Sequence, residues 1–345
     1  MNRGELLRRL HDPRPLTAED SHATFDALVD PNTDEEARVG ILAALSARDI
    51  RPLELAAFAV EMQRRAIPFQ IPVADHAIDL CGSGGARTPS YNVSTVSAFV
   101  VAAAGVPVVK HGNRSSRGLC GSSDLLEALG LPVTESIPFA RATYRAHHLA
   151  FLHAPLFHPA TRAVAAARKA LGTPTVFNQL GPLSNPARIS YQLVGVADVP
   201  TATRAAQVLG RLGRRRASAI SSVEGCDEFS PKRETYAVLW SSGRLGRRTI
   251  RASDLLPPED RRGSWSSLPP AQAAEEAERI LAGGGGARRG SVLLTAGAAL
   301  WVARAVRSIP VGVDRAREAL DSGRAERLLR SLLVLARDHR ARGGV

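Results

Sequence analysis

Over the first 70 residues, apolar side chains recur at helical spacing and no strand pattern emerges. Asp34–Arg48 and Leu53–Arg65 set Ala, Leu, Ile, Val, Phe and Met three and four apart with charged residues between, predicting a small helical unit. From Ala77 the pattern changes. A short strand, AIDLC, runs into a glycine loop, followed by a helical stretch over Ser94–Ala104. A second strand, VPVV, ends in KHGNR, with Pro107 kept out of its interior. Asp124–Leu129 and Pro159–Leu171 read as helices. Tyr191–Val196, Ser218–Val223 and Thr235–Leu239 read as strands, with Thr201–Leu212 as a crossover helix. Towards the C-terminus come a helix after Pro269, an apolar helix over Ser291–Val306 and amphipathic helices near Asp314–Asp321 and Ala325–Leu335. The intervening Ala282–Gly290, AGGGGARRG, reads as a mobile surface loop.

Strands alternating with helices predict an α/β fold with a mainly parallel central sheet. The expected division is a helical domain over 1–72, joined by helices from about 120–200, and a larger α/β domain over 73–345. Ligands of such sheets sit beyond the carboxyl ends of the strands, where the polar motifs fall.

Composition narrows the class. The 345 residues are 44% apolar, enough for one large core or two domains. The opening MNRGELLRRLHDPRP has no apolar core, so no secretory leader is expected there. Val93–Val109 and Ser291–Val306 carry polar residues and glycines, and read as buried elements rather than membrane spans. Cys81, Cys120 and Cys226 lack metal-ligand spacing, and the nine histidines form no HExxH pattern; a reduced, cytoplasmic compartment fits best. Net charge is +12, carried by arginine except at Lys110, Lys169 and Lys232. The runs Arg211–Arg216, Arg244–Arg251 and Arg261–Arg262 lack interleaved aromatics. They read first as solvated faces, and only second as a nucleic-acid or acidic-partner surface.

Candidate chemistry clusters at the strand ends. Gly82, Gly84 and Gly85 in GSGG allow backbone N–H groups to approach a phosphate, or simply form a turn before an N-cap. Ser94 and Thr95 in NVST add hydroxyls at a helix start, where negative charge is favoured. Lys110 suits pyrophosphate as a point charge, and Asn113 donates and accepts in a fixed orientation. His111 either bonds a substrate amine or braces its loop. Asp227 and Glu228 follow an apolar strand and Gly225, where both can converge on magnesium. Arg168 either forks onto a carboxylate substrate or is a surface arginine. His158 can shape an aromatic pocket. Cys120 reads as a small packed side chain, and no Ser/His/Asp or Cys/His nucleophile arrangement is present.

Taken together, NVST, KHGNR, GSSDLLEALG, FNQLGPLSNP and the DE pair resemble the anthranilate phosphoribosyltransferase family over nearly the whole chain. The resemblance implies a small helical domain and a larger α/β domain of the nucleoside-phosphorylase-like phosphoribosyltransferase architecture, with the site in the cleft between them, and a homodimer. It implies Mg2+-dependent transfer of phosphoribose from phosphoribosyl pyrophosphate to anthranilate, a step of tryptophan biosynthesis. Gly82, Ser83, Gly84, Gly85, Asn92, Ser94, Thr95 and Lys110 would hold the phosphoribosyl pyrophosphate, and Asp227 and Glu228, with Ser94, its magnesium. His111, Asn113, His158 and Arg168 would line the way to the aromatic acid, with Arg168 facing its carboxylate and Pro155 shaping the pocket. Lys110, His111, Asn113 and Arg168 are the expected catalytic set.

Departures from the family pattern fall at the site. GSGGA replaces GTGGD, so Ala86 removes a carboxylate from the phosphate loop. Arg117 and Gly118 replace a pair of small hydroxyl residues; Arg117 either recovers phosphate contacts or changes which ligand fits. Ser221 takes a histidine position in SSVEGCDE. These changes leave two other readings open: transfer to another aromatic or heteroaromatic acid in specialised metabolism, or a non-catalytic paralogue binding nucleic acid.

Overall fold

The computed structural model describes residues 3–83, 88, 90–115 and 119–343. Gly84, Gly85, Ala86, Arg117 and Gly118 therefore lie outside the described residues.

Seven strands form one sheet: β1 Ile78–Gly82, β2 Val108–Gly112, β3 Leu149–His153, β4 Tyr191–Gly195, β5 Arg216–Ser222, β6 Glu234–Ser241 and β7 Arg244–Arg251. Their order is β3-β2-β1-β4-β5-β6-β7. The first five in that order run parallel, and β6 and β7 are antiparallel additions. The expected parallel α/β sheet is present, with an antiparallel margin. Ser242 and Gly243 join β6 to β7 with φ values of 50° and 79°, the left-handed pair that a two-residue hairpin requires.

One face of the sheet is covered by helices Val93–Ala103 and Ala287–Val302, both buried on almost every side. Phe99 alone, fully buried there, contributes roughly 2–3 kcal/mol of hydrophobic stabilisation. The other face packs on helix Val199–Arg211 and on the N-terminal helices Arg3–His11, Ala18–Val29, Glu35–Ser46 and Pro52–Arg64. Thr17 and Asp20 close a capping box at Ala18–Val29, and Asp34 caps the next helix through Ala37 N–H at 2.6 Å. Val164, Ala167, Val176 and Phe177 join this second core, so segments far along the chain complete the helical region.

Several details differ from the sequence reading. Ala282–Gly290 is not one loop: a helix starts at Ala287, and Ala287, Arg289 and Gly290 are buried. Pro159–Leu171 divides into a 3-10 stretch, Pro159–Val164, and a helix, Ala165–Leu171. Strands β3 and β7 and helix Ile137–His147 are additional. Arg211–Arg216 is not simply a solvated face, because Arg214 is 7% exposed and bonds Gln192 and Ile189. Arg216 lies 3.9 Å from the Trp301 ring centre. Arginines 244, 247, 248 and 251 of β7 are exposed, as expected of that run.

Candidate active site

A cleft of about 390 Å3 opens beyond the carboxyl ends of β1, β2 and β3. Of the predicted residues, Gly82, Ser83, Asn92, Ser94, Thr95, Lys110, His111, Asn113, Pro155, His158, Arg168, Asp227 and Glu228 all line it. Met62, Tyr91 and Ser267 line it too, without having been singled out beforehand, as does Phe177, the first residue of the FNQLGPLSNP motif. Gly82 and Glu228, 146 positions apart, thus share one wall because the strands leading to them are parallel and end together.

At the polar end, β1 stops at Gly82 against Asp227: a Cβ on Gly82 would lie 2.7 Å from Asp227 Oδ2, so a larger residue would push the carboxylate aside. Ser83 N–H donates to Gly195 O at 2.9 Å. Asp227 and Glu228 sit just after β5, in a turn where Ser222 N–H donates to Cys226 O. Both carboxylates are buried. Ser94, in the first turn of its helix, donates its N–H to Glu228 Oε1 at 3.2 Å. Burial, and next the neighbouring charge of Asp227, push Glu228 up to about 8; Lys110 and Ser94 pull the other way. Two adjacent buried carboxylates attract a cation. Lys110 Nζ donates to Leu80 O and, at 3.2 Å, to Ser94 Oγ. Asn92 turns its amide to Cys120 O at 2.9 Å and leaves its buried Oδ1 without a hydrogen-bond partner among the described residues.

The other end of the cleft is aromatic and cationic. His111, on β2, and His158, before the 3-10 stretch, pack edge to face with ring centres 5.0 Å apart. Burial drives both below the ordinary histidine range, His111 to about 3 and His158 to about 4, so both rings are neutral near pH 7. His111 Nδ1 lies 3.3 Å from Gly181 O and therefore carries the proton, while its buried Nε2 has no hydrogen-bond partner among the described residues. Arg168 sits 5.5 Å from the Phe177 ring centre, and burial lowers its pKa. It is half-buried, which sets aside the surface-arginine reading. Pro155 begins the short helix Ala154–Phe157. Asn113 is exposed at the rim, its N–H bonded to Ser122 Oγ at 3.1 Å. Cys120 is buried, and burial pushes its thiol up to about 12; it is a packing residue rather than a nucleophile.

Sequence reasoning missed the polar groups beneath the site. Asp79, Asn185, Gln192 and Arg214 are buried and joined by hydrogen bonds. Asp79 and Gln192 each interrupt an apolar strand, the one signal that pointed to them.

A parallel-sheet domain whose cleft sets buried carboxylates and a lysine against a pocket of aromatic and imidazole rings suits a glycosyl-transferring α/β enzyme. In agreement, residues 74–326 match the glycosyl transferase family a/b domain. Over 332 residues the chain is 37% identical to the anthranilate phosphoribosyltransferase of Lacticaseibacillus paracasei, covering 96% of this chain and 97% of that one. It is 39% identical over 329 residues to the one from Methylobacterium radiotolerans, covering 94% and 93%. Among solved structures, anthranilate phosphoribosyltransferase from Thermus thermophilus superposes with a TM-score of 0.87 at 34% identity, over 96% of this chain and 99% of that one. The Saccharomyces cerevisiae protein in complex with PRPP and Mg shares the fold, with a TM-score of 0.85 at 23% identity over 97% and 98%. The chain belongs to the anthranilate phosphoribosyltransferase family.

Proposed function

We propose that the protein transfers the 5-phosphoribosyl group of phosphoribosyl pyrophosphate to anthranilate, with Mg2+, as a step of tryptophan biosynthesis. The observation that carries this reading is a single cleft holding Asp227, Glu228, Ser94 and Lys110 at one end and His111, His158, Arg168 and Phe177 at the other. Among the described residues no three ligating side chains cluster. That suits magnesium, which takes one or two carboxylates and completes its shell with water and substrate phosphates. A bound Mg2+ would neutralise charge on the departing pyrophosphate.

In the reaction the bond from ribose C1 to pyrophosphate breaks and a bond from the anthranilate nitrogen to C1 forms. One amine proton leaves. Lys110, held at Ser94, stabilises the leaving group's charge. Arg168 faces the acceptor carboxylate, and Phe177 beneath its guanidinium limits its freedom. Neutral His111 offers its free Nε2 lone pair to an amine N–H. An aromatic amine is uncharged near pH 7, so placement and electrostatics supply most of the acceleration and no strong base is needed. Buried Ser221 faces Tyr236 across β5 and β6, where the family pattern has histidine.

Supporting the wider reading, Cys81, Cys120 and Cys226 are buried free thiols, as in a cytoplasmic protein. No helix of the described residues is long and apolar enough to cross a membrane. We keep the domain boundary near residue 72 and the homodimer as parts of the same reading; sedimentation tests the dimer. The deciding experiment follows pyrophosphate release with Mg2+, with and without anthranilate, and product mass. Anthranilate-dependent ribosylated product is expected. Binding of phosphoribosyl pyrophosphate without that product would redirect the search to other aromatic acids. Arg168→Ala should raise the KM for anthranilate about 10- to 100-fold, as loss of a charge-assisted bidentate contact does, and leave that for phosphoribosyl pyrophosphate within about 3-fold. Equal effects on both would remove Arg168 from the acceptor pocket.

A further inference from the structure

The two strands that lead into the cleft lie side by side yet hardly pair. β1 meets β2 in register only at Ile78 with Val108. By contrast, β1 stays in register with β4 from Ile78 to Gly82, and β2 with β3 from Val108 to Gly112. In parallel strands, successive residues offer their N–H and C=O alternately to either neighbour. Ile78 N–H donates to Pro107 O and Val108 N–H to His148 O. Leu80 therefore faces β2, while Val109 and His111 face β1, and a continued ladder would join them.

Side chains take those places instead. Leu80 O accepts from Lys110 Nζ. His111 N–H donates to Asp79 Oδ1 at 3.2 Å. Val109 O accepts from Asn185 Nδ2 at 2.9 Å. The same Asn185 amide donates to Asp79 Oδ2 at 3.0 Å, and Gln192 Nε2 approaches that oxygen at 3.4 Å. Gln192 Oε1 in turn accepts from Arg214 Nε at 3.1 Å. Asp79 is fully buried, and a carboxylate placed there without partners would be costly. Burial pushes it up to about 6, against the pull of Lys110, Asn185 and the His111 N–H.

The geometry assigns Asp79 and Asn185 a positioning role: they wedge β1 from β2, so that Lys110 lies between the strands with its ammonium at Ser94 and His111 is fixed beside it. Neither side chain lines the cleft. The assignment rests on the reading of Lys110 as the pyrophosphate-binding lysine. A buried network serving stability alone would weaken the fold without acting through Lys110.

The test is a double-mutant cycle on kcat/KM for phosphoribosyl pyrophosphate with Mg2+, combined with amide exchange at His111. Asp79→Asn turns an amide donor towards Asn185 and Gln192. It should lower kcat/KM on the order of 100-fold, as displacement of a reacting group does. In a Lys110→Met background the same change should cost less than about 3-fold, because the group it positions is gone. Losses that multiply would overturn the assignment. Asn185→Ala keeps the carboxylate and should show the same non-additivity; it decides the matter should Asp79→Asn fail to fold. The His111 amide should be protected in the wild type and exchange faster in either variant, while β4 amides stay protected. Absence of phosphoribosyl pyrophosphate binding by the wild type would be a failure of the functional reading, not of the wedge. The exchange arm then judges the wedge alone, and unchanged His111 protection would overturn it.

Discussion

Two buried carboxylate centres in this molecule are finished differently. Asp260 is 1% exposed and meets Arg289 at 2.6 Å; Arg289 also reaches Asp321 at 2.6 Å. Arg289 thus gives one nitrogen to each carboxylate, so the buried charge of Asp260 meets an opposite charge within the fold. Glu228 is also buried, but the largest charge effect on it comes from Asp227, of the same sign, and Lys110 gives its hydrogen bonds to Leu80 and Ser94. The first centre pairs its buried carboxylate with a cation of the fold itself. The second sets two carboxylates side by side at the mouth of a cleft, with Glu228 held above its usual range by burial and by Asp227, a strain that a bound cation would relieve. Burial of charge by itself therefore does not mark a site; like charges buried side by side at a cleft are the better mark.

Breaking the second centre should affect activity most. Asp227→Asn with Glu228→Gln should lower Mg2+-dependent turnover on the order of 1000-fold or more, since charge on the leaving group loses its main counterweight. The same variant should melt no lower than the wild type, because a crowded buried carboxylate pair is replaced by neutral amides of the same shape. Initial rates across a Mg2+ titration and a thermal melt check both halves; retained turnover would end the metal assignment. Breaking the first centre should do the reverse. Arg289→Met strands Asp260 and should cost about 3 kcal/mol in urea unfolding, with the KM values of the folded protein unchanged. Asp260→Asn added to it should recover part of that loss. A KM change in Arg289→Met would show that the two centres are coupled after all.

The contrast also explains what the sequence made legible. Glycines, hydroxyls, Lys110 and the DE pair are readable because they follow apolar strands in a local order that parallel-sheet geometry turns into a common wall. What escaped depends on partners distant in the chain. Strand β3, LAFLH, is buried on both faces, so it lacks the alternation that marks a strand. Strand β7 is half arginine and becomes a strand because β6 pairs with it from Glu234 to Ser241. Arg214 looked like one charge in a surface run, and only Gln192 and Asp79 opposite it explain its burial. Arg289 was hidden in the same way, inside a glycine-rich stretch that suggested a loop.

The smallest effect tests the neutral end of the cleft against the charged one. His158 titrates at about 4 and His111 at about 3 in the folded protein, because burial disfavours their cations. The unfolded chain takes up a proton on each near pH 6.5. Between these limits the unfolded state binds more protons, so stability falls as pH falls, by up to about 1.4 kcal/mol per pH unit for each ring. The stabilisation is complete above about pH 6.5 and declines through the window down to about 4 for His158. Asp79 and Glu228 work in the opposite direction, since their raised values let the folded state take up protons first. The wild-type curve therefore mixes the two ends. The difference between wild type and His158→Gln separates them: moving from pH 7.5 to 5.5 should cost the wild type about 1 kcal/mol more than the variant, read from urea midpoints. Equal losses would mean that His158 is solvated and that this end of the cleft is less dry than its packing indicates.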